Sequence, residues 1–351
     1  MKEAEKAVCS GKTSLFTLMQ RAGKAVADEI ISRYEKQPVL VICGAGNNGG
    51  DGFIVASTLL KKKWDVTLAC CVDIQDLQGD AARASDTWTG DVLSLDGLEE
   101  LPESGLIVDA VFGTGLTRAI EGDIAALLLD LRETACPIIA VDMPSGVIAD
   151  TGECQYVTPT AELTITFCWK KPAHVLMPAR AACGEIIVAD IGISDDVLEP
   201  IGPFLLENSP ENGWGIDIAE KALSAHKYDH GHVVVLGGRS MTGAASLAAV
   251  SALRVGAGLT TIVSYPDTAQ IYRAYCPILI VETLTELARF KEHIKDIRRN
   301  VVLIGVGAGL DHPAALKKAV FDSVQADSQK ICVIDADALT VFADDPKTFY
   351  K

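Results

Sequence analysis

A glycine-dense turn limits this chain more than any other feature in it. The apolar run Pro38-Val39-Leu40-Val41-Ile42-Cys43 leads directly into Gly44-Ala45-Gly46-Asn47-Asn48-Gly49-Gly50-Asp51-Gly52, and the helical pattern FIVASTLLKK follows. Strand, glycine turn and helix start form an anion site, because free backbone N–H groups and the positive end of the helix dipole meet there. Gly44, Gly46 and Gly49 satisfy the spacing GxGxxG, with Asp65 or Asp73 on offer as a ribose-binding acid, so a dinucleotide-dependent oxidoreductase is one reading. The tip residues Asn47, Asn48 and Asp51 speak against it, since a dehydrogenase turn has no need of two amides and a carboxylate.

The pattern around this turn repeats. An amphipathic helix over SLFTLMQRAGKAVADEIISRY precedes it, and short apolar runs then alternate with helical stretches through WDVTLACCV, a helix around Asp80 to Trp88, GLIVDAVFG, GDIAALLLDLRE, CPIIAVDMPSG, AELTITFCW and EIIVADIGI. That order predicts a doubly wound parallel sheet, an α/β fold of Rossmann type. An acidic, turn-rich stretch over roughly residues 200 to 225 predicts a boundary, with one domain over 1–205 and another over 220–351. A second series follows: HVVVLGG, a small-residue helix TGAASLAAVSALRVG, LTTIVSY, PILIVE, a helix near Leu287 to Arg298, NVVLIGVGAGL, a helix from Pro313 to Val324, and KICVIDADAL. Its length is short for an α/β domain, so an incomplete second domain is expected, with NVVLIGV or KICVIDA left as exposed apolar edges.

Composition narrows the function. The formal net charge of −16 leaves no basic patch for nucleic-acid phosphates or an anionic membrane surface. No signal-peptide core and no membrane-length apolar run is present. The 10 cysteines are scattered without a CxxC pair and read as reduced, buried thiols, so a cytoplasmic protein with a small-molecule partner is expected, its oligomeric state left open.

Two further turns follow strand-like runs: Val108-Asp109-Ala110-Val111-Phe112-Gly113-Thr114-Gly115-Leu116 and Val141-Asp142-Met143-Pro144-Ser145-Gly146. In an open α/β sheet ligands bind outside the carboxyl ends of the strands, where all three turns are expected. With the preceding helix TLMQRAGKAVA, the stretches GAGNNGGDG, VDAVFGTGL and VDMPSG resemble the YjeF N-terminal domain family, the NAD(P)HX epimerases. The resemblance implies interconversion of the R and S forms of hydrated NADH and NADPH, in which water has added to the nicotinamide ring. It implies that Asn47, Asn48, Gly49, Gly50 and Asp51 cradle phosphate and ribose, and that Gly113, Thr114, Gly115 and Leu116 line the substrate. It also implies a potassium ion on Asn48, Asp109 and Ser145, with Asp142 facing the substrate as acid or base. A carboxyl at hydrogen-bond range suits that chemistry, because inverting the hydrated carbon means letting water leave and return, or opening and reclosing the ring, and either route needs a proton passed. Lys171 in TFCWKKPAH aligns with a family lysine, and a phosphate-binding or a solvated role is equally open. A non-catalytic interaction module remains the rival, although such a module has no need of these polar residues.

The second half, with KYDHGHVVVLGG, GVGAGL and VIDADAL, resembles the ADP- or ATP-dependent NAD(P)HX dehydratases of ribokinase-like fold, which occur fused behind a YjeF N-terminal domain. By motif position Ala244 and Gly307 would contact the hydrated nucleotide, with Asp335 and Asp337 at a strand end nearby. The family's later phosphate loop and catalytic aspartate are not found after Asp337, so a truncated dehydratase domain lacking its catalytic half, and inactive, is expected.

Overall fold

The computed structural model describes residue 8 and residues 13–349, except 99, 199, 201, 203–204, 210–223, 240 and 328. The chain divides into two compact units, Met1–Ile216 and Asp217–Lys351, and most of the expected boundary stretch lies outside the described residues. Both units are α/β, each built on a parallel sheet flanked by helices.

In the first unit, helix α1 (Leu15–Arg33) precedes strand β1 (Val39–Cys43), and Ser14 caps α1 by accepting a hydrogen bond from the Thr17 amide. Helix α2 (Asn47–Lys61) leads to β2 (Val66–Cys70), and helix α3 (Gly79–Ser85) to the short β3 (Val92–Ser94). Then come β4 (Leu106–Ala110), α4 (Gly122–Glu133), β5 (Ile138–Val141), β6 (Leu163–Phe167) and β7 (Glu185–Ala189). The seven strands run β3-β2-β1-β4-β5-β6-β7, all parallel. The winding direction reverses between β1 and β4, so the turns after these strands part and open a crevice at their carboxyl ends. Strands β1, β4, β5 and β6 are buried along their whole length, as expected for a sheet covered on both faces.

The expected loop over residues 47–52 is instead the first turn of α2. Close packing is the reason: a Cβ on Gly49 would lie 1.8 Å from the Gly44 carbonyl oxygen, and one on Gly52 would lie 2.6 Å from Ala110 Cβ. These glycines let the helix approach β1 and β4 at backbone distance, so they serve packing as well as turning.

In the second unit β8 (His232–Leu236), β9 (Leu259–Ser264), β10 (Ile280–Thr283), β11 (Val301–Ile304) and β12 (Ile331–Ile334) form a parallel sheet in the order β10-β9-β8-β11-β12. Helix α7 (Thr242–Val255) follows β8, the short α8 (Ala269–Tyr275) follows β9, α9 (Phe290–His293) follows β10 and α10 (Pro313–Gln325) follows β11; the short α5 (Ala179–Ala182) and α6 (Asp195–Leu198) flank β7 in the first unit. The long helix expected near Leu287 to Arg298 is only a short turn followed by α9. The run NVVLIGV is not an edge: β11 is paired on both sides, with β8 and β12. Among the described residues KICVIDA forms an edge of this sheet, with Ile331 63% and Val333 46% exposed.

Candidate functional site

Three turns at the carboxyl end of the first sheet meet around the crevice. Helix α2 begins at Asn47 with Gly46 as its cap residue and no side-chain cap, so the first-turn N–H groups keep no intrahelical acceptor. A Cβ added to Gly46 would meet nothing within 4 Å, which leaves this helix end open to an anion. Asn47 is exposed, Asn48 and Asp51 are half-buried, and Gly49 and Gly50 are buried. The side chain of Asn48 lies over Gly113, where an added Cβ would come within 2.9 Å of Asn48 Oδ1.

Asp109, at the end of β4, is fully buried. Its Oδ1 accepts hydrogen bonds from Ser145 Oγ (2.6 Å) and the Val111 amide (3.2 Å), and its Oδ2 accepts one from the Ser145 amide (2.8 Å). Ser145 Oγ in turn accepts from the Phe112 amide (2.9 Å), so Asp109 and Ser145 tie the second turn to the third. Burial pushes the Asp109 carboxyl above its ordinary range, against the hydrogen bonds from Ser145 and Val111. Among the described residues it has no ion-pair partner. Of the three residues expected to hold a cation, two touch directly, and Asn48 reaches Gly113, the neighbour of the residue that Ser145 binds. The buried Asn48 Nδ2 has no hydrogen-bond partner. Oxygen donors of this kind suit a hard monovalent cation, which Asn48 would meet with Oδ1 and not with its unpartnered Nδ2.

Of the residues expected to line the substrate, Gly113 and Thr114 are half-buried and Gly115 is exposed, whereas Leu116 is buried and turns its side chain into the protein. This turn is held from outside by Gln155, which accepts from the Ile120 amide (2.8 Å) and donates to the Arg118 carbonyl (2.8 Å).

Asp142 follows β5 with a left-handed backbone, φ 66°. Its Oδ1 accepts hydrogen bonds from Lys171 Nζ (2.6 Å) and Thr166 Oγ1 (2.8 Å). Burial raises the Asp142 carboxyl, but the adjacent Lys171 ammonium and the hydrogen bonds from Lys171 and Thr166 together outweigh it, and the net direction is below the ordinary aspartate range. Lys171 is not solvated: it is buried, and it also donates to Thr166 Oγ1 and the Phe167 carbonyl. Parallel pairing of β5 with β6 sets Val141 beside Ile165 and so brings the ends of the two strands level.

Sequence reasoning missed His174, which is fully buried in this cluster. The Lys171 amide donates to His174 Nδ1 (2.9 Å), so Nε2 carries the proton and donates to the Asp142 carbonyl (2.8 Å). Burial and the Lys171 charge push the imidazole down to about 4, so it is neutral at pH 7. The available signal was the spacing of Lys171 and His174 about a proline; Thr166 gave none beyond its place in a strand.

In the second unit, Ala244 is exposed in the first turn of α7, and Gly307 lies in the turn after β11 with φ 68°. These turns abut, since a Cβ on Gly238 would lie 1.5 Å from the Gly307 carbonyl oxygen. Asp337 accepts from the Gly309 amide (2.8 Å), which ties the turn after β12 to the one after β11. Among the described residues no group of three His, Cys, Asp or Glu side chains could hold a metal ion, every cysteine is a free thiol, and no helix is long and apolar enough to cross a membrane.

A family model described as YjeF-related protein N-terminus matches residues 15–173, and one described as NAD(P)H-hydrate dehydratase matches residues 233–351. The chain is 31% identical over 352 residues to a bifunctional NAD(P)H-hydrate repair enzyme of Coxiella burnetii, covering 99% of this chain and 70% of that one. It is 33% identical to the Escherichia coli enzyme of the same description, covering 98% of this chain and 66% of that one. A solved ribokinase-like superfamily protein from Enterococcus faecalis is 28% identical over 36% of this chain and 43% of that chain, with a TM-score of 0.32. The chain thus spans about two thirds of the length of the curated relatives. The expectation of a truncated, inactive dehydratase half finds no support, because the dehydratase model matches residues 233–351.

Proposed function

This chain belongs to the family of bifunctional NAD(P)H-hydrate repair enzymes, and from that premise we propose that its first unit interconverts the R and S forms of hydrated NADH and NADPH. The observation that carries this reading is Asp142. It is an ionised carboxylate at the crevice, with Oδ1 fixed by Lys171 and Thr166 and Oδ2 accepting no hydrogen bond among the described residues. A carboxylate with one oxygen anchored and one uncommitted can take the hydroxyl proton as the ring C–N bond breaks, its electron pair passing to nitrogen, and return that proton to the same oxygen when nitrogen adds back to the other face of the carbonyl, without losing its place. Lys171, bonded to the other carboxylate oxygen, holds Asp142 ionised between proton transfers.

The open first turn of α2, residues Asn47 to Asp51, binds the phosphates and ribose through backbone N–H groups, and Gly113 to Gly115 line the nicotinamide side with Leu116 buried behind them. A potassium ion held by Asn48, Asp109 and Ser145 would neutralise the buried Asp109 carboxylate and fix the turns after β4 and β5. In the second unit, Ala244 and Gly307 flank a site for the same hydrated nucleotide, with ADP or ATP as the co-substrate of dehydration. The partners are therefore small molecules.

The test is to supply R-hydrate with an excess of a separate dehydratase that acts only on the S form, and to follow the return of the reduced-nicotinamide absorbance. The chain should accelerate that return well above the spontaneous rate; a rate equal to the spontaneous one would overturn the epimerase reading. Supplying S-hydrate with ADP or ATP and this chain alone, without the separate dehydratase, tests the second unit by the same absorbance.

A further inference from the structure

We propose that His174 is a positioning residue of the first unit's site, holding Asp142 and Lys171 together through one donated and one accepted hydrogen bond to their backbones. The proposal rests on the epimerase reading above. Its basis is geometric: Nε2 donates to the Asp142 carbonyl at 2.8 Å, and Nδ1 accepts from the Lys171 amide at 2.9 Å. One ring thus spans the backbones of the acid and of its counter-ion.

Asp142 needs such a clamp. Its left-handed φ of 66° is costly for a residue with a side chain and persists only where the surroundings over-determine it. The Asp142 amide donates to the Ile165 carbonyl at 2.8 Å, and His174 holds the carbonyl on the other side. With both peptide groups fixed, the Cα–Cβ direction is set, and from it the carboxylate reaches Lys171 and Thr166. His174 itself is fully buried with both ring nitrogens committed, so it has no atom left for substrate. An apolar residue of the same size would fill the space but would orphan a buried carbonyl and a buried amide. The charged groups facing the ring are Lys171, Asp142 and, farther out, Lys170; Thr166 is the other side chain on the carboxylate.

The test uses the full chain with His174→Leu and His174→Gln. Glutamine can place its Nε2 donor near the imidazole Nε2 and so retain the bond to the Asp142 carbonyl. Two readouts are taken: kcat and KM in the hydrate assay, and the titration of the Asp142 carboxyl by carbon-13 NMR. In His174→Leu, kcat should fall about tenfold or more with KM within about threefold, the mark of an effect on the reacting geometry. The Asp142 carboxyl should titrate higher than in the wild type, toward the ordinary aspartate range. His174→Gln should recover most of both, and it carries the test if the leucine variant fails to fold. An unchanged carboxyl titration in the variants would overturn the proposal, as would a glutamine variant as impaired as the leucine one. A wild-type chain without epimerase activity whose carboxyl still shifts in the variants would sustain the positioning role and sink the epimerase reading instead.

Discussion

Lys171 Nζ stands 2.6 Å from Asp142 Oδ1, and the two side chains are 8% and 11% exposed. A buried pair of this kind gains little net stability over an apolar pair, yet removing one partner strands the other's charge away from water. Pair and half-pair therefore behave differently, and the difference can be measured.

Lys171→Met should destabilise the first unit by about 3 to 5 kcal/mol, the usual cost of an uncompensated buried charge. Asp142→Asn should lower epimerase turnover about 100-fold or more, the scale of a lost general acid or base. The double variant should regain much of the stability and none of the activity. Urea unfolding and the hydrate assay separate the two effects, and a single Lys171→Met variant as stable as wild type would show that the pair is not coupled.

Acid should weaken the first unit in two stages. The His174 imidazole is depressed in the folded state to about 4 from 6.5, so between those values the unfolded chain binds the extra proton. Its contribution is complete above pH 6.5 and is lost as pH falls toward 4. Asp142 is also depressed, so its share is present above the ordinary aspartate range and is lost on further acidification through the folded value. Thermal melts across pH 7 to 4 should therefore show a declining midpoint, and His174→Gln should flatten the upper part of that decline. A slope identical in the variant would assign the acid sensitivity elsewhere.

The buried, unpaired Asp109 carboxylate should make the fold respond to monovalent cations. Replacing a tetramethylammonium salt by the potassium salt at equal ionic strength should raise the melting midpoint, because an ion bound only to the native state stabilises it. Asp109→Asn should abolish the response while leaving the hydrogen bond to Ser145 Oγ possible at its remaining oxygen. Equal midpoints in the two salts would remove the cation from Asn48, Asp109 and Ser145.

Two neighbouring glycines should separate packing from binding. Gly49→Ala places a methyl group 1.8 Å from the Gly44 carbonyl oxygen, a contact that forces α2 away from β1, and the fold should lose about 1 to 3 kcal/mol. Gly46→Ala meets no atom within 4 Å and sits in extended backbone with φ −97°, so stability should hold within about 0.5 kcal/mol. The added methyl stands at the open helix end, so nucleotide binding should weaken there. Calorimetric titration with NADPH, as a stable stand-in for the hydrate, reads the second effect; unaltered affinity would move the phosphate site off this turn.

Local chemistry along the chain made much of this legible. Apolar runs separated by glycine turns and helical periodicity marked parallel α/β sheets, and Asp109, Asp142 and Ser145 stood out as polar residues at strand ends, because strand-end turns are where a parallel sheet offers side chains to a ligand. The helical start at Asn47 was not legible, since glycines read as a loop until the Gly44 carbonyl and the Ala110 side chain occupy the space that side chains would need. The order β3-β2-β1-β4-β5-β6-β7 likewise came only from tertiary structure. That order sets β5 beside β6, and with it the ends of both strands. Lys171 and Asp142 are 29 residues apart, and nothing local distinguishes a buried lysine from a solvated one. The pairing of those strands decided it, by carrying the ammonium into a largely buried space where the Asp142 carboxylate is its charge partner and His174 holds both backbones in place.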